Sequence, residues 1–189
     1  MNSHFAIEIE SNLINLAQAG DAGAFEVIYH AFEKPAYTLA YRICQCPDTA
    51  RDILQDSMLS VFTKIGQFRF EAPFWSWVRK IVVNTALTHI RQSQKHDGLE
   101  ILVDRAAEIG PDRPAMQRDL ATAFAMLAPM RRAVLWLYAV EGYSHQEIAN
   151  LMGHGISFSK SQVMRARRQL QQWWQSDLKL PLSASEQKE

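Results

Sequence analysis

Cysteine is scarce: the 189 residues contain two, Cys44 and Cys46, a single residue apart. Such close neighbours make a poor disulfide, and no second ligand pair exists to complete a zinc site. They read as reduced, part-buried helix side chains, with no metal and no cofactor expected. An apolar run of membrane-spanning length is also missing, and nothing at the N-terminus has the layout of a signal peptide. The expectation is a cytoplasmic protein without direct membrane insertion. Neither sign of charge is in excess, because 20 basic residues meet 20 acidic ones. That balance excludes indiscriminate coating of nucleic acid, so any DNA contact must come from local patches. Alternating β-branched runs never last long enough for a strand, which makes the chain all-α. What the chain does have is a 48% hydrophobic share, enough for two modest helical cores.

The clearest local pattern is Glu141-Gly142-Tyr143-Ser144-His145-Gln146-Glu147, running through Ile148, Ala149, Leu151 and Met152 to Gly153. Ser144 followed three residues later by Glu147 is a capping box that starts a short helix. Gly153 and Gly155 supply the conformational freedom to stop that helix and turn into the next, a helix-turn-helix layout. The second helix, expected from Ser157, places Ser159, Val163, Ala166 and Leu170 on one face for packing. Its other stripe carries Lys160, Ser161, Met164, Arg165 and Arg168, with no acidic residue between Gln162 and Gln175. Such a stripe can approach phosphates without like-charge repulsion, which suits a DNA recognition helix.

Upstream, residues 10–19 form an amphipathic helix ended by Gly20, and Asp21 caps a second helix with Phe25, Ile28, Tyr29 and Phe32 at core spacing. Pro35 is expected to break or kink that run after Lys34. Pro47-Asp48 opens the next helix, whose buried side is Ala50, Ile53, Leu54, Met58, Val61, Phe62 and Ile65. Its other side carries Asp48, Asp52, Gln55 and Asp56. These are either solvated first-turn carboxylates favoured by the helix dipole or a docking face for a basic partner.

The run from Phe68 to Arg91 combines five aromatics within ten residues with Arg69, Arg79 and Lys80. Aromatic faces beside cations suit unstacked single-stranded bases. Pro73 opens a helix in which Phe74, Trp77, Val78, Ile81, Thr85 and Thr88 trace one face. Most of the aromatics are core by their spacing, which leaves Phe68 and Phe70, on the loop before the helix, as candidates for exposed stacking.

Taken together, Asp48-Thr49-Ala50-Arg51-Asp52-Ile53-Leu54-Gln55-Asp56 and Phe74-Trp75-Ser76-Trp77-Val78-Arg79-Lys80-Ile81-Val82-Val83-Asn84 resemble the second region of the extracytoplasmic-function sigma factors of bacterial RNA polymerase. Leu127-Ala128-Pro129-Met130-Arg131-Arg132-Ala133-Val134-Leu135 and the helix-turn-helix are similar to their fourth region. The resemblance implies that Asp48, Asp52, Gln55 and Asp56 dock on core RNA polymerase. It implies that the Phe68–Pro73 loop captures a base flipped from the minus-ten element. Arg79, Lys80, Asn84 and Arg91 would then contact nearby DNA. Ser157, Phe158, Lys160, Ser161, Gln162, Met164, Arg165 and Arg168 would read the minus-thirty-five element. Arg51, Thr88 and the stretch from Phe158 to Val163 depart from the family pattern. An anti-sigma factor is a further partner that the resemblance implies.

The expected organisation is a first domain at 10–92, a polar, breaker-rich flexible linker at 93–114, a second domain at 115–175 and a disordered tail at 176–189. The chain is expected to bind core polymerase and promoter DNA and help open it, with no catalysis and no small-molecule substrate. A stand-alone helix-turn-helix regulator is the alternative, distinguished by dimerisation and tight binding without polymerase. A redox or metal enzyme built on Cys44 and Cys46 is a third.

Overall fold

The computed structural model describes residues 9–96 and 122–177, and among them no strand occurs. Residues 97–114 of the expected linker, 115–121 of the expected second domain and the tail beyond 177 lie outside the described residues. The elements are α1 (Ser11–Gln18), α2 (Ala22–Cys44), α3 (Pro47–Lys64), a 3-10 turn (Ile65–Gln67) and α4 (Phe74–His96). A helical turn at 122–125 follows, then α5 (Pro129–Ala139), α6 (His145–Met152) and α7 (Ile156–Asp177).

Local chemistry sets these boundaries. Gly20, at φ +92°, carries the chain out of α1, and the Asp21 side chain accepts from the Ala24 N–H at 2.8 Å to cap α2. Pro47 and Pro129 occupy the first turns of α3 and α5, where the missing N–H costs nothing. The break expected at Pro35 does not occur: α2 runs unbroken through it, with Pro35 buried. The reason is tertiary. Ile28, Phe32, Ala36, Leu39, Ala40 and Ile43 flank the proline on one buried stripe, each at most 4% exposed. Burial of Ile28, Phe32, Leu39 and Ile43 stabilises by roughly 1.5–3 kcal/mol each, enough to offset one lost helix bond of about 3 kcal/mol. The Thr38 hydroxyl also donates to the Lys34 carbonyl at 2.8 Å within the affected turn.

Helices α1 to α4 surround the first core, which includes Ile53, Val61, Val78, Val82 and Leu87, all fully buried. The buried side of α4 differs from the expected one: Trp75, Val82, Val83, Ala86 and Ile90 are buried and Thr88 is exposed. This helix contacts α2 and α3 and also α5, so its apolar surface is wider than one stripe. Phe62, expected on the buried side of α3, is 48% exposed and packs edge-on against Phe25 of α2 at 4.7 Å.

Helices α5 to α7 form the second core, from Ala133, Val134, Leu137, Ile148, Met152, Val163 and Ala166. Its apolar cluster is continuous with the first, because α5 packs on α2 and α4.

Candidate nucleic-acid interface

The capping box of α6 forms as its sequence demands. The Ser144 hydroxyl accepts from the Glu147 N–H at 3.2 Å, and the Glu147 carboxylate accepts from the Ser144 N–H at 2.8 Å. These bonds hold the Glu147 carboxyl below its ordinary range, the Ser144 backbone bond being the largest cause. Gly153 ends α6 at φ +66°, and α7 begins at Ile156, one residue before Ser157. Ser159, Val163 and Ala166 are buried and Leu170 partly so, which turns the opposite stripe outward. Buried Ser159 ties α7 to the start of α6, with its hydroxyl 3.0 Å from His145 Nδ1. Lys160, Arg165 and Arg168 are exposed on α7, and Met164 between them is 66% exposed. Ser157 is exposed as well. Phe158, Ser161 and Gln162 are half-buried, Phe158 lying stacked on His154 at 4.2 Å. Trp173 is half-buried and Trp174 is 41% exposed at the end of α7.

The aromatic loop of residues 68–73 is the second part of the candidate interface. Phe68 is 7% exposed, so its expected role as an exposed stacking ring is corrected. It sits between Phe70 at 4.9 Å, Phe74 at 5.0 Å and Trp77 at 5.7 Å, because the chain turns its ring inward onto the start of α4. Phe70 is the ring left outside, 44% exposed, and its backbone adopts φ +60°. A bulky residue in the left-handed region is strained, and such strain concentrates where a side chain must be presented in a set direction. The loop is anchored from α1 by Gln18, whose Nε2 donates to the carbonyls of Ile65 and Phe68, each at 2.9 Å. Sequence reasoning missed Gln18, since a polar residue on a short helix carries no signal of what it spans. Arg69 is exposed on the loop.

On α4 the exposed or half-exposed stripe is Lys80, Asn84, Thr88 and Arg91, within about 80° around the helix at 100° per residue. Two of the expected DNA cations on this helix are engaged by the second domain. Arg79 Nη1 donates to the Glu141 carbonyl and to its carboxylate, both at 3.1 Å, and its guanidinium lies 5.0 Å from the Tyr143 ring centre. Burial raises the Tyr143 phenol above its ordinary value, with Arg79 opposing. Arg91 Nη2 donates to the Leu151 carbonyl at 2.8 Å.

Helix α3 presents the acidic stripe outward. Asp48, Asp52, Gln55 and Asp56 are all exposed, and Leu59, 63% exposed, lies at the centre of the same face. Arg51 pairs with Asp48 one turn away, and Asp56 pairs with His89 of α4 at 2.9 Å. The Cys44 thiol donates to the Cys46 carbonyl at 3.3 Å, and burial pushes its pKa up to about 11. No group of three or more His, Cys, Asp or Glu able to hold a metal occurs among the described residues. Nor is any helix among them long and apolar enough to cross a membrane.

With this geometry in place, the comparisons are specific. Residues 28–96 match the family model for Sigma-70 region 2, and residues 117–170 match that for Sigma-70 region 4. The chain is 30% identical over 166 residues to the ECF RNA polymerase sigma factor SigM of Mycobacterium tuberculosis, covering 85% of this chain and 82% of the relative. It is 25% identical over 175 residues to the RNA polymerase sigma-H factor of Pseudomonas aeruginosa, covering 85% and 91%. Among solved structures, the fold resembles the sigma factor RpoE in complex with the anti-sigma factor NepR from Bartonella quintana. The TM-score is 0.60, with 24% identity and coverage of 81% of this chain and 98% of that one. It also resembles CnrH in complex with the cytosolic domain of CnrY, at TM-score 0.53 and 21% identity, covering 88% and 97%.

Proposed function

The chain belongs to the extracytoplasmic-function sigma factors of bacterial RNA polymerase, and from that membership we propose how its surfaces divide the work of initiation. Residues 10–92 serve as the polymerase and minus-ten module, 93–114 as a linker, 115–175 as the minus-thirty-five module and 176–189 as a tail. On α3, Asp48, Asp52, Gln55 and Asp56 dock on a basic surface of core polymerase, with exposed Leu59 supplying apolar contact between them. Phe70 receives the base extruded from the non-template strand, backed by Phe68. Extrusion costs a few kcal/mol, and a presented aromatic face is what offsets it. Arg69, Arg79, Lys80 and Arg91 neutralise phosphates next to that base, and the Asn84 amide donates a hydrogen bond to the same DNA.

Helix α7 enters the major groove of the upstream element through Ser157, Phe158, Lys160, Ser161, Gln162, Met164, Arg165 and Arg168. The protein performs no catalysis itself and acts in the cytoplasm, where its polymerase and promoter are. An anti-sigma factor is a partner by analogy with the complexes of RpoE and CnrH. Nothing in the architecture favours a stand-alone regulator.

The observation that carries this assignment is the order of two matched regions on one chain, each with an outward stripe of the charge its partner requires. The test is capture of core polymerase by the purified protein, with Gln55→Ala/Asp56→Ala as the matched control. Capture that the control loses, followed by promoter-dependent RNA synthesis, is the expected result. Failure of folded protein to bind core polymerase at moderate salt would refute it.

A further inference from the structure

Base capture asks Phe70 to hold its ring outward in a backbone conformation that a free loop would leave. Its φ of +60° is strained for a bulky residue, and such strain persists only where the surroundings over-determine it. The ring cluster supplies part of that constraint, with Phe70 against Phe68 at 4.9 Å and Phe68 against Phe74 and Trp77. Ring contacts are non-directional, however, and leave the backbone beneath them free to turn. The directional part of the constraint comes from α1.

Gln18 is the last residue of α1 and is held from both sides. Before it, Ile14 and Ala17, 2% and 5% exposed, seat α1 on α2. After it, the Gly20 N–H donates to the Ala17 carbonyl at 3.1 Å and the Asp21 N–H to the Leu16 carbonyl at 3.0 Å, which closes the helix end. From this platform the half-buried Gln18 side chain reaches the carbonyls of Ile65 and Phe68, 47 and 50 residues further along the chain. Both partners are acceptors only, so the atom between them is the amide nitrogen, which has two N–H groups to donate. The Ile65 carbonyl also accepts from the Phe68 N–H at 3.0 Å, so the two bonds clamp both ends of the turn that leads into the loop. Because the peptide group is planar, holding the Phe68 carbonyl also holds the amide of Arg69. Arg69 alone then separates that fixed plane from Phe70.

We propose that Gln18 is a positioning residue for promoter opening, bracing the 68–73 loop so that Phe70 meets the extruded base already presented. Gln18 touches no base itself and acts through the carbonyls of Ile65 and Phe68. The proposal rests on the base-capture reading of Phe70 and names what holds that ring in place. Without the brace the loop samples other conformations, and apparent affinity for the base falls by the fraction of molecules no longer competent to receive it.

The test uses the full chain with core RNA polymerase on a promoter that this holoenzyme transcribes, with opening followed as permanganate oxidation of unpaired thymines. Gln18→Met keeps an unbranched side chain of similar length and has no N–H to donate. Gln18→Glu keeps the shape and sets acceptor oxygens against the two carbonyls; it covers the case in which Gln18→Met fails to fold, judged by helical content. Either variant is expected to slow opening about tenfold, since two hydrogen bonds are lost. Affinity for core polymerase should stay unchanged, because α3 carries that contact. Amide hydrogen exchange in residues 66–73 should quicken, and exchange in α7 should not.

A double-mutant cycle separates positioning from a merely structural role. Placed on Phe70→Ala, Gln18→Met should lower thermal stability as it does in the wild type but slow the residual opening no further, because no ring remains to be positioned. Equal slowing in both backgrounds would overturn the proposal, as would unchanged hydrogen exchange in the loop. If Phe70→Ala alone opened promoters normally, the base-capture reading would fail and the brace with it. Slow opening by Phe70→Ala beside normal opening by both Gln18 variants would sink the brace alone.

Discussion

Changing Lys160, Arg165 and Arg168 together to alanine removes three exposed cations from the outward stripe of α7. None of them pairs with a carboxylate among the described residues, so each is available to a phosphate. Neutralising one phosphate of duplex DNA contributes about 0.9 to the log–log salt slope, so three contacts contribute about 2.7. Between 50 and 200 mM salt, a fourfold change, that slope difference amounts to about 1.6 log units. The wild type should therefore lose about 40-fold more affinity than the variant across that range. Alanine is the strongest helix former, and all three side chains lie outside the core, so helical content should not fall. Fluorescence anisotropy on a labelled duplex, repeated at four or five salt concentrations, measures both slopes. An unchanged slope would refute the placement of DNA on this face. Core polymerase binding should survive; an equal loss there would show that the two modules are wrongly divided.

Ser144→Ala should destabilise the helix-turn-helix by about 1 kcal/mol, the usual cost of an N-cap, seen as a lower urea midpoint. Because the folded Glu147 pKa is depressed, the stabilisation from its cap bonds is present above the ordinary carboxylate range. It is lost as pH falls through the folded value, so the stability gap between wild type and Glu147→Gln should narrow in acid. A gap independent of pH would contradict that linkage. Phe70→Gly relieves a left-handed backbone that costs a non-glycine residue about 1–2 kcal/mol. It should fold at least as stably as Phe70→Ala by thermal melting and open promoters just as poorly. Cys44, with its thiol pushed up to about 11, should be about one part in a thousand thiolate at pH 8. Alkylation at Cys44, followed by mass spectrometry, should therefore be slow, and rapid labelling would show that the site is not buried.

What was legible in the sequence was what local chemistry decides. Asp21, Pro47, Ser144 with Glu147, and Gly153 each act within four residues of themselves, and each appears in its expected place. The packing face of α7 was legible too, because Ser159, Val163 and Ala166 follow the helical period. What tertiary packing decides was not. Pro35 is a breaker by local rules and is overruled by the buried stripe around it. Phe68 and Phe70 are chemically identical and two residues apart, and only the turn of the loop sends one inward and the other outward. Arg131 and Arg132 look alike as neighbouring cations. Yet Arg131 donates to Gln169 of its own domain, while Arg132 crosses to α2. No periodicity in either domain announces a contact between residues 88 or 89 positions apart.

The continuity of α4 makes it a ruler. Lys80 and Arg91 are eleven residues apart on one rigid helix, and at 1.5 Å per residue this separates them by about 16.5 Å. Along duplex DNA, at 3.4 Å per base pair, that distance is about five base pairs. The same helix begins at Phe74, directly behind the loop that presents Phe70. On the proposed division of work, the distance between the base at Phe70 and the phosphate at Arg91 is thus set by the length of one element. Inserting seven residues, close to two helical turns, would keep the later side chains within about 20° of their face while moving Arg91 about 10.5 Å, about three base pairs out of step.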